Sequence, residues 1–254
     1  MLLSLAIITT SCNDGVDDVL EAPINARVLF GQFSPSFGLA ENLNTDFFFG
    51  ENTFQNPRLG FAAAASRTPT PGVPFRVALQ GRAPEFVVSG TPVIEGRRNY
   101  TALVANADAS NTQADAPIGM IFMEDDLTPA PAGSTKVRFI HLAVGAPAVD
   151  VYLVPSAGSP VVISNIAYGQ SSGGNLSIPA GGVSDVTAVA FAQIPAGTYR
   201  AEVRPAGADP SSQPVLAVNN INLTPRRNTG GAREYWEAFT IVANGYLTQP
   251  AGVT

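Results

Sequence analysis

The sequence holds a single cysteine, a single histidine and few charges, and each scarcity closes off a class of chemistry. One Cys excludes an intramolecular disulfide, and one Cys with one His leaves no conventional ligand set for zinc. Charged residues make up 13% of the 254, about half of the roughly 25% usual in soluble domains, so charge-driven disorder is excluded. The 14 Lys and Arg are outnumbered by 20 Asp and Glu, giving a formal net charge of −6. Such a chain lacks the basic footprint of a nucleic-acid binder. What is abundant is apolar material, 45% of residues, together with 24 Gly and 21 Pro. A sizeable core with many turns and short strands is therefore expected.

The opening run, Met1 to Ser11, is apolar but falls short of the about 20 helical residues that cross a bilayer. A short apolar stretch ending in small residues has the form of a secretory h-region and its cleavage site. Cys12 follows, and Ser11-Cys12 resembles a bacterial lipobox, although Thr9 stands where Leu is usual. That resemblance implies a signal peptide over 1–11, lipidation of Cys12 and a membrane anchor. A basic n-region is missing, so the true start is expected further upstream. Two or more acyl chains hold stably, at about 0.8 kcal/mol per buried CH₂. Asp14, Asp17, Asp18 and Glu21 follow with no basic residue among them, so residues 12–24 read as an acidic tether that anionic headgroups repel.

The remainder contains an internal repeat, which governs every later reading. Val28 and Phe30 align with Val137 and Phe139 at an offset of 109, and Asp46-Phe47-Phe48 with Asp150-Val151-Tyr152 at 104. Phe75 to Leu79 align with Tyr199 to Val203 at 124, and Val104-Ala105-Asn106 with Val242-Ala243-Asn244 at 138. Period-two alternation is clearest in Tyr199, Ala201 and Val203 against Arg200, Glu202 and Arg204, which predicts a strand with one wet face. Runs such as Lys136 to Val144 and Thr240 to Ala243 alternate less, as strands covered on both faces do. No helical stripe is present. The expected architecture is all-β, with two tandem immunoglobulin-like β-sandwich domains over 25–127 and 135–254 joined by 128–134.

The second copy carries Arg138-Phe139-Ile140-His141-Leu142-Ala143, then Ala146-Pro147-Ala148-Val149-Asp150-Val151-Tyr152, Ile166-Ala167-Tyr168-Gly169, Ile194-Pro195-Ala196-Gly197-Thr198-Tyr199 and Arg204-Pro205-Ala206-Gly207. This series closely resembles the domain of unknown function 4397 family. The resemblance implies immunoglobulin-type sandwiches, often in tandem in exported bacterial proteins, and no assigned chemistry. The first copy matches mainly by the order of its landmarks and has Gln32 where the second has His141. It also ends in Ile118 to Met123, for which the second copy has no counterpart. The second sheet is thus expected to lack a closing strand, and Asp185 to Phe191 is the segment expected to supply it.

His141 and Asp150 are the one His/carboxylate combination, expected as a buried structural pair rather than a catalytic one, since no activated nucleophile is marked. Glu124-Asp125-Asp126 is expected to be a solvated acidic cluster that discourages edge pairing, not a calcium site. Arg97-Arg98 and Arg226-Arg227 are expected as exposed loop charges. Phe48, Tyr235, Trp236 and Tyr246 are the candidates for a contact surface. Together with the two resemblances, these features lead to the expectation of an exported, lipid-anchored protein of the bacterial cell envelope. It is expected to be non-enzymatic, without metal or cofactor, and to present its sandwiches to an envelope protein or a glycan. The alternatives are an envelope hydrolase or a small-ligand-binding lipoprotein.

Overall fold

The computed structural model describes residues 2–10, 26–35, 45–50, 52–53, 63–80, 83, 85–111, 116–225 and 238–247. Apart from a single helical position at Pro35, the elements among them are strands. The first is β1 (Leu2–Thr10). The first repeat follows with β2 (Arg27–Gln32), β3 (Thr45–Phe49), β4 (Asn52–Thr53), β5 (Ala63–Arg67), β6 (Phe75–Leu79), β7 (Phe86–Gly90), β8 (Asn99–Asn106) and β9 (Ile118–Glu124). The second begins with β10 (Ser134–Val144), β11 (Val149–Pro155), β12 (Val161–Ile166), β13 (Gln170–Ser171), β14 (Gly174–Asn175) and β15 (Val183–Ala188). It ends with β16 (Ala192–Pro195), β17 (Thr198–Pro205), β18 (Leu216–Asn222) and β19 (Ala238–Tyr246).

These strands form four sheets, β4-β3-β6-β7, β15-β9-β8-β2-β5, β1-β19-β10-β13-β14 with β16 also on β10, and β12-β11-β17-β18. Alternation drives the layering, because each strand must cover the apolar set on one face. Val28, Phe30, Phe47, Phe75, Val77 and Phe122 fill the first sandwich, and Phe30 stacks on Phe75 at 5.8 Å. Val137, Phe139, Val151, Tyr199, Ala201 and Ile241 fill the second. In each repeat the leading strand runs parallel to a late one, β2 with β8 and β10 with β19. Tyr199 donates its hydroxyl to the Pro195 carbonyl at 2.6 Å, a tyrosine-corner arrangement that pins the entry to β17.

A third apolar cluster joins the sandwiches face to face. Leu103, Ala105, Ile121 and Met123 from β8 and β9 meet Ile140, Leu142 and Val242 from β10 and β19. This seam explains why β8, β10 and β19 are buried on both faces and lack clean alternation.

The repeat registers need two corrections. Gln32 pairs with Val104 and His141 with Ala243, so Val104 corresponds to Ala243 rather than to Val242. The one-residue slip matters, since Val104 and Ala243 face the sandwich cores whereas Val242 faces the seam. Phe47 pairs with Val77 and Val151 with Val203, which shifts the third landmark by two residues and keeps its parity.

Sheet closure also departs from expectation. The segment Val183–Ala188 does not close the second sheet; it pairs in parallel with β9 of the first repeat. Its approach loop is pinned there, with Gly181 N donating to Ile118 O at 2.6 Å and Met120 N donating to Gly182 O at 3.0 Å. The second sheet is instead closed by Leu2–Thr10, which runs antiparallel to β19 from Leu2↔Tyr246 to Thr10↔Ala238. The outer face of β17 is also drier than its sequence suggests. Glu202 and Arg204 are buried in a short ion pair with each other, and Arg200 joins at 2.8 Å.

Candidate functional site

His141 lies near the C-terminal end of β10, fully buried, and its ring is held by backbone at both nitrogens. Nδ1 accepts from Ala143 N at 3.2 Å, so Nε2 carries the proton and donates to Pro147 O at 3.0 Å. Burial disfavours the imidazolium and pulls the pKa below its usual value, while the Pro147 carbonyl opposes that. Gln32 repeats the device in the first copy. Its Oε1 accepts from Ser34 N at 2.6 Å, and its Nε2 donates to Ser34 O at 3.1 Å. The two side chains therefore do the same work, each serving an amide two residues ahead.

The expected His141–Asp150 pair is not formed. Asp150 sits on β11 with each carboxylate oxygen accepting one backbone amide, Asn165 N at 2.7 Å and Gly207 N at 2.9 Å. Both donors have left-handed backbone, φ 56° at Asn165 and 74° at Gly207. The carboxylate thus ties the bulge of β12 and the turn after β17 to the strand between them.

One Gly-x-Ser-x-Gly string escapes the sequence reading, Gly169-Gln170-Ser171-Ser172-Gly173. It has the spacing of a hydrolase nucleophile elbow, but it forms the β13–β14 hairpin instead of a strand-to-helix turn. Ser171 pairs with Ile140 and His141 with Gln170, so Ser171 and His141 point to opposite faces of their sheet. Ser171 Oγ accepts from Gly173 N at 3.0 Å, inside its own turn.

The acidic cluster also departs from expectation. Asp126 is exposed and bonded to Lys136 at 2.9 Å; although partial burial opposes it, Thr128 and Lys136 hold its pKa at about 2. Asp125 points inward. It meets Arg138 at 2.7 Å with both side chains fully buried, and it accepts from Thr101 Oγ1 at 2.7 Å. Arg138 donates Nε to Thr240 Oγ1 at 2.9 Å and lies over the Phe191 ring at 4.5 Å. Burial drives the Asp125 pKa upward against the pull of Arg138 and Thr101. This ion pair crosses the seam, with Thr101 and Asp125 from the first repeat and Arg138 and Thr240 from the second. A single acidic residue inside an acidic triplet gives no sequence signal of such a partner.

Of the candidate contact residues, Phe48 is buried and packs edge-on against Phe86 at 5.2 Å, and Tyr246 is buried at the end of β19. Neither forms an exposed patch. Cys12, Tyr235, Trp236, Arg226 and Arg227 lie outside the described residues. Arg98 is exposed, as expected, and pairs with Glu95 and Glu124. The exposed apolar side chains among the described residues include Val162 and Val215 beside the outer face of the β12-β11-β17-β18 sheet. Tyr152 pairs across that sheet with Val162 and Glu202, and Arg204 lies over its ring at 4.9 Å. Among the described residues no cluster of three or more His, Cys, Asp or Glu is placed to hold a metal ion. No helix there is long and apolar enough to cross a membrane.

Residues 38–152 match the family described as Domain of unknown function (DUF4397). The match begins just before Asp46 and ends just after Asp150, so it covers about one repeat period, out of phase with the sandwiches. It takes in most of the first repeat and β10 with part of β11, whereas the later motifs from Ile166 onward lie outside it. No curated protein matches the chain.

Proposed function

Because the chain carries a DUF4397 domain, whose description assigns no chemistry, we propose from the geometry that it is a non-enzymatic lipoprotein of the cell envelope. Acylated Cys12 anchors it, an acidic tether spaces it from the headgroups, and two seamed sandwiches present a contact surface to an envelope protein or glycan. The observation that carries the reading is the apolar seam and buried ion pair that join the two sandwiches. The side chains best suited to chemistry, His141 and Asp150, are buried and spent on backbone amides and carbonyls that hold loops in place. Rigid presentation lowers the ordering cost of binding.

The contact surface is the outer face of the β12-β11-β17-β18 sheet, where Tyr152, Val162 and Arg200 supply aromatic, apolar and charged groups. Mass spectrometry of the protein extracted from membranes tests the anchor. The expected product starts at a diacylated or triacylated Cys12, and an unmodified chain that keeps Leu2 overturns it. A photoreactive residue in place of Val162 tests the surface: a discrete crosslinked product in intact envelopes is expected, and its absence at full surface expression overturns this placement.

A further inference from the structure

The strand that closes the second sheet is the same segment that the envelope reading removes as a signal peptide. That coincidence has a physical consequence, and it rests on the processing proposed above. Strand β1 fits its place closely. Leu5 and Ile7 pack into the second sandwich core, while Ala6 and Ile8 enter the seam, with Ile8 buried beside Val242 and Phe33. Ser4 Oγ donates to Asn244 Oδ1 at 2.7 Å, which fixes the register. Once residues 1–11 leave, the β19 edge loses its ladder partner from Ala238 to Tyr246, and both apolar clusters lose a wall. A buried, two-sided edge of that kind is a strong template for a new strand.

We propose that the β19 edge is a strand-acceptor site, held by Leu2–Thr10 in the unprocessed chain and afterwards by an uncharged, extended segment of another polypeptide running antiparallel to β19. The slot selects such a segment. It takes apolar side chains at both parities, because one face meets the sandwich core and the other the seam. It also excludes a second copy paired edge to edge. The β1 strand touches β18 on one side and the seam on the other, so the edge is recessed, and a partner's β19 is recessed in the same way. While tethered, Leu2–Thr10 competes at an effective concentration of about millimolar, which blocks weaker strands until it is cut away.

The test uses a fluorescent peptide with the Leu2–Thr10 sequence and a C-terminal lysine tag. Full-length wild type is expected to exclude it, and full-length Ile8→Asp, whose own strand no longer seats, to bind it at 1:1 with at least tenfold higher affinity. The same peptide carrying the Ile8→Asp change is expected to bind neither. A second form keeps the native strand but has a protease site within 13–21. After cutting, unfolding and refolding with a tenfold excess of peptide, the label is expected to replace most of the original strand. Uptake by wild type equal to that of Ile8→Asp, no uptake by the refolded cut protein, or dimerisation of the cut protein in place of uptake each overturns the proposal. Peptide exchange is read independently of acylation, so a mature protein that keeps Leu2 defeats the envelope reading while leaving these outcomes to decide the acceptor site.

Discussion

At the scale of single residues, His141 and Gln32 occupy one structural role with two chemistries, and only one of them titrates. The His141 pKa is lowered by burial, so the folded state resists a proton that the unfolded chain binds below about pH 6.5. The His141 contribution is therefore complete above that value and is lost as pH falls through it toward the folded pKa. His141→Gln is expected to keep stability within about 1 kcal/mol of wild type at pH 7, and to flatten the decline between pH 7 and 5 in urea unfolding. Arg138 is the opposite case, a charge whose removal leaves another charge buried. Arg138→Met is expected to cost about 3–5 kcal/mol in urea unfolding. Arg138→Met with Asp125→Leu is expected to recover most of that loss, because an apolar pair of similar volume suits the same site.

At the scale of elements, the close approach of the 178–182 loop to β9 depends on Gly119. A Cβ there would lie 2.2 Å from Pro179 O, so Gly119→Ala is expected to cost about 1–3 kcal/mol. Hydrogen exchange at Met120 and Phe122, whose amides bond to Gly182 O and Ser184 Oγ, is the local readout. Strand identity was legible in the sequence wherever a face alternates, as in Tyr199, Ala201 and Val203. Doubly covered strands such as β10 and β19 were legible as strands but not in what covers them, since an apolar run does not say which neighbour it meets. Partnership of isolated strands was not legible for the same reason. Leu2–Thr10 and Val183–Ala188 are apolar runs whose ladder partners lie far away in sequence. Of the site, the structural role of His141 was readable from Gln32 standing in for it, whereas Asp150 found backbone amides and Asp125 found Arg138 through turns that spacing does not encode.

At the scale of the whole molecule, the seam, the buried ion pair and the β15–β9 ladder couple the two sandwiches. Calorimetry of the full chain is expected to give one unfolding transition with equal calorimetric and van't Hoff enthalpies. Two resolved transitions would mean that the seam carries little energy. The same β15–β9 ladder also orders events during synthesis. The first sandwich completes its sheet only after Ala188 has left the ribosome, and β1 waits for β19, which lies far later in the sequence. Such long-delayed pairings slow folding and leave nascent apolar edges uncovered. A chain of this design therefore carries an uncovered apolar edge until β19 has been made.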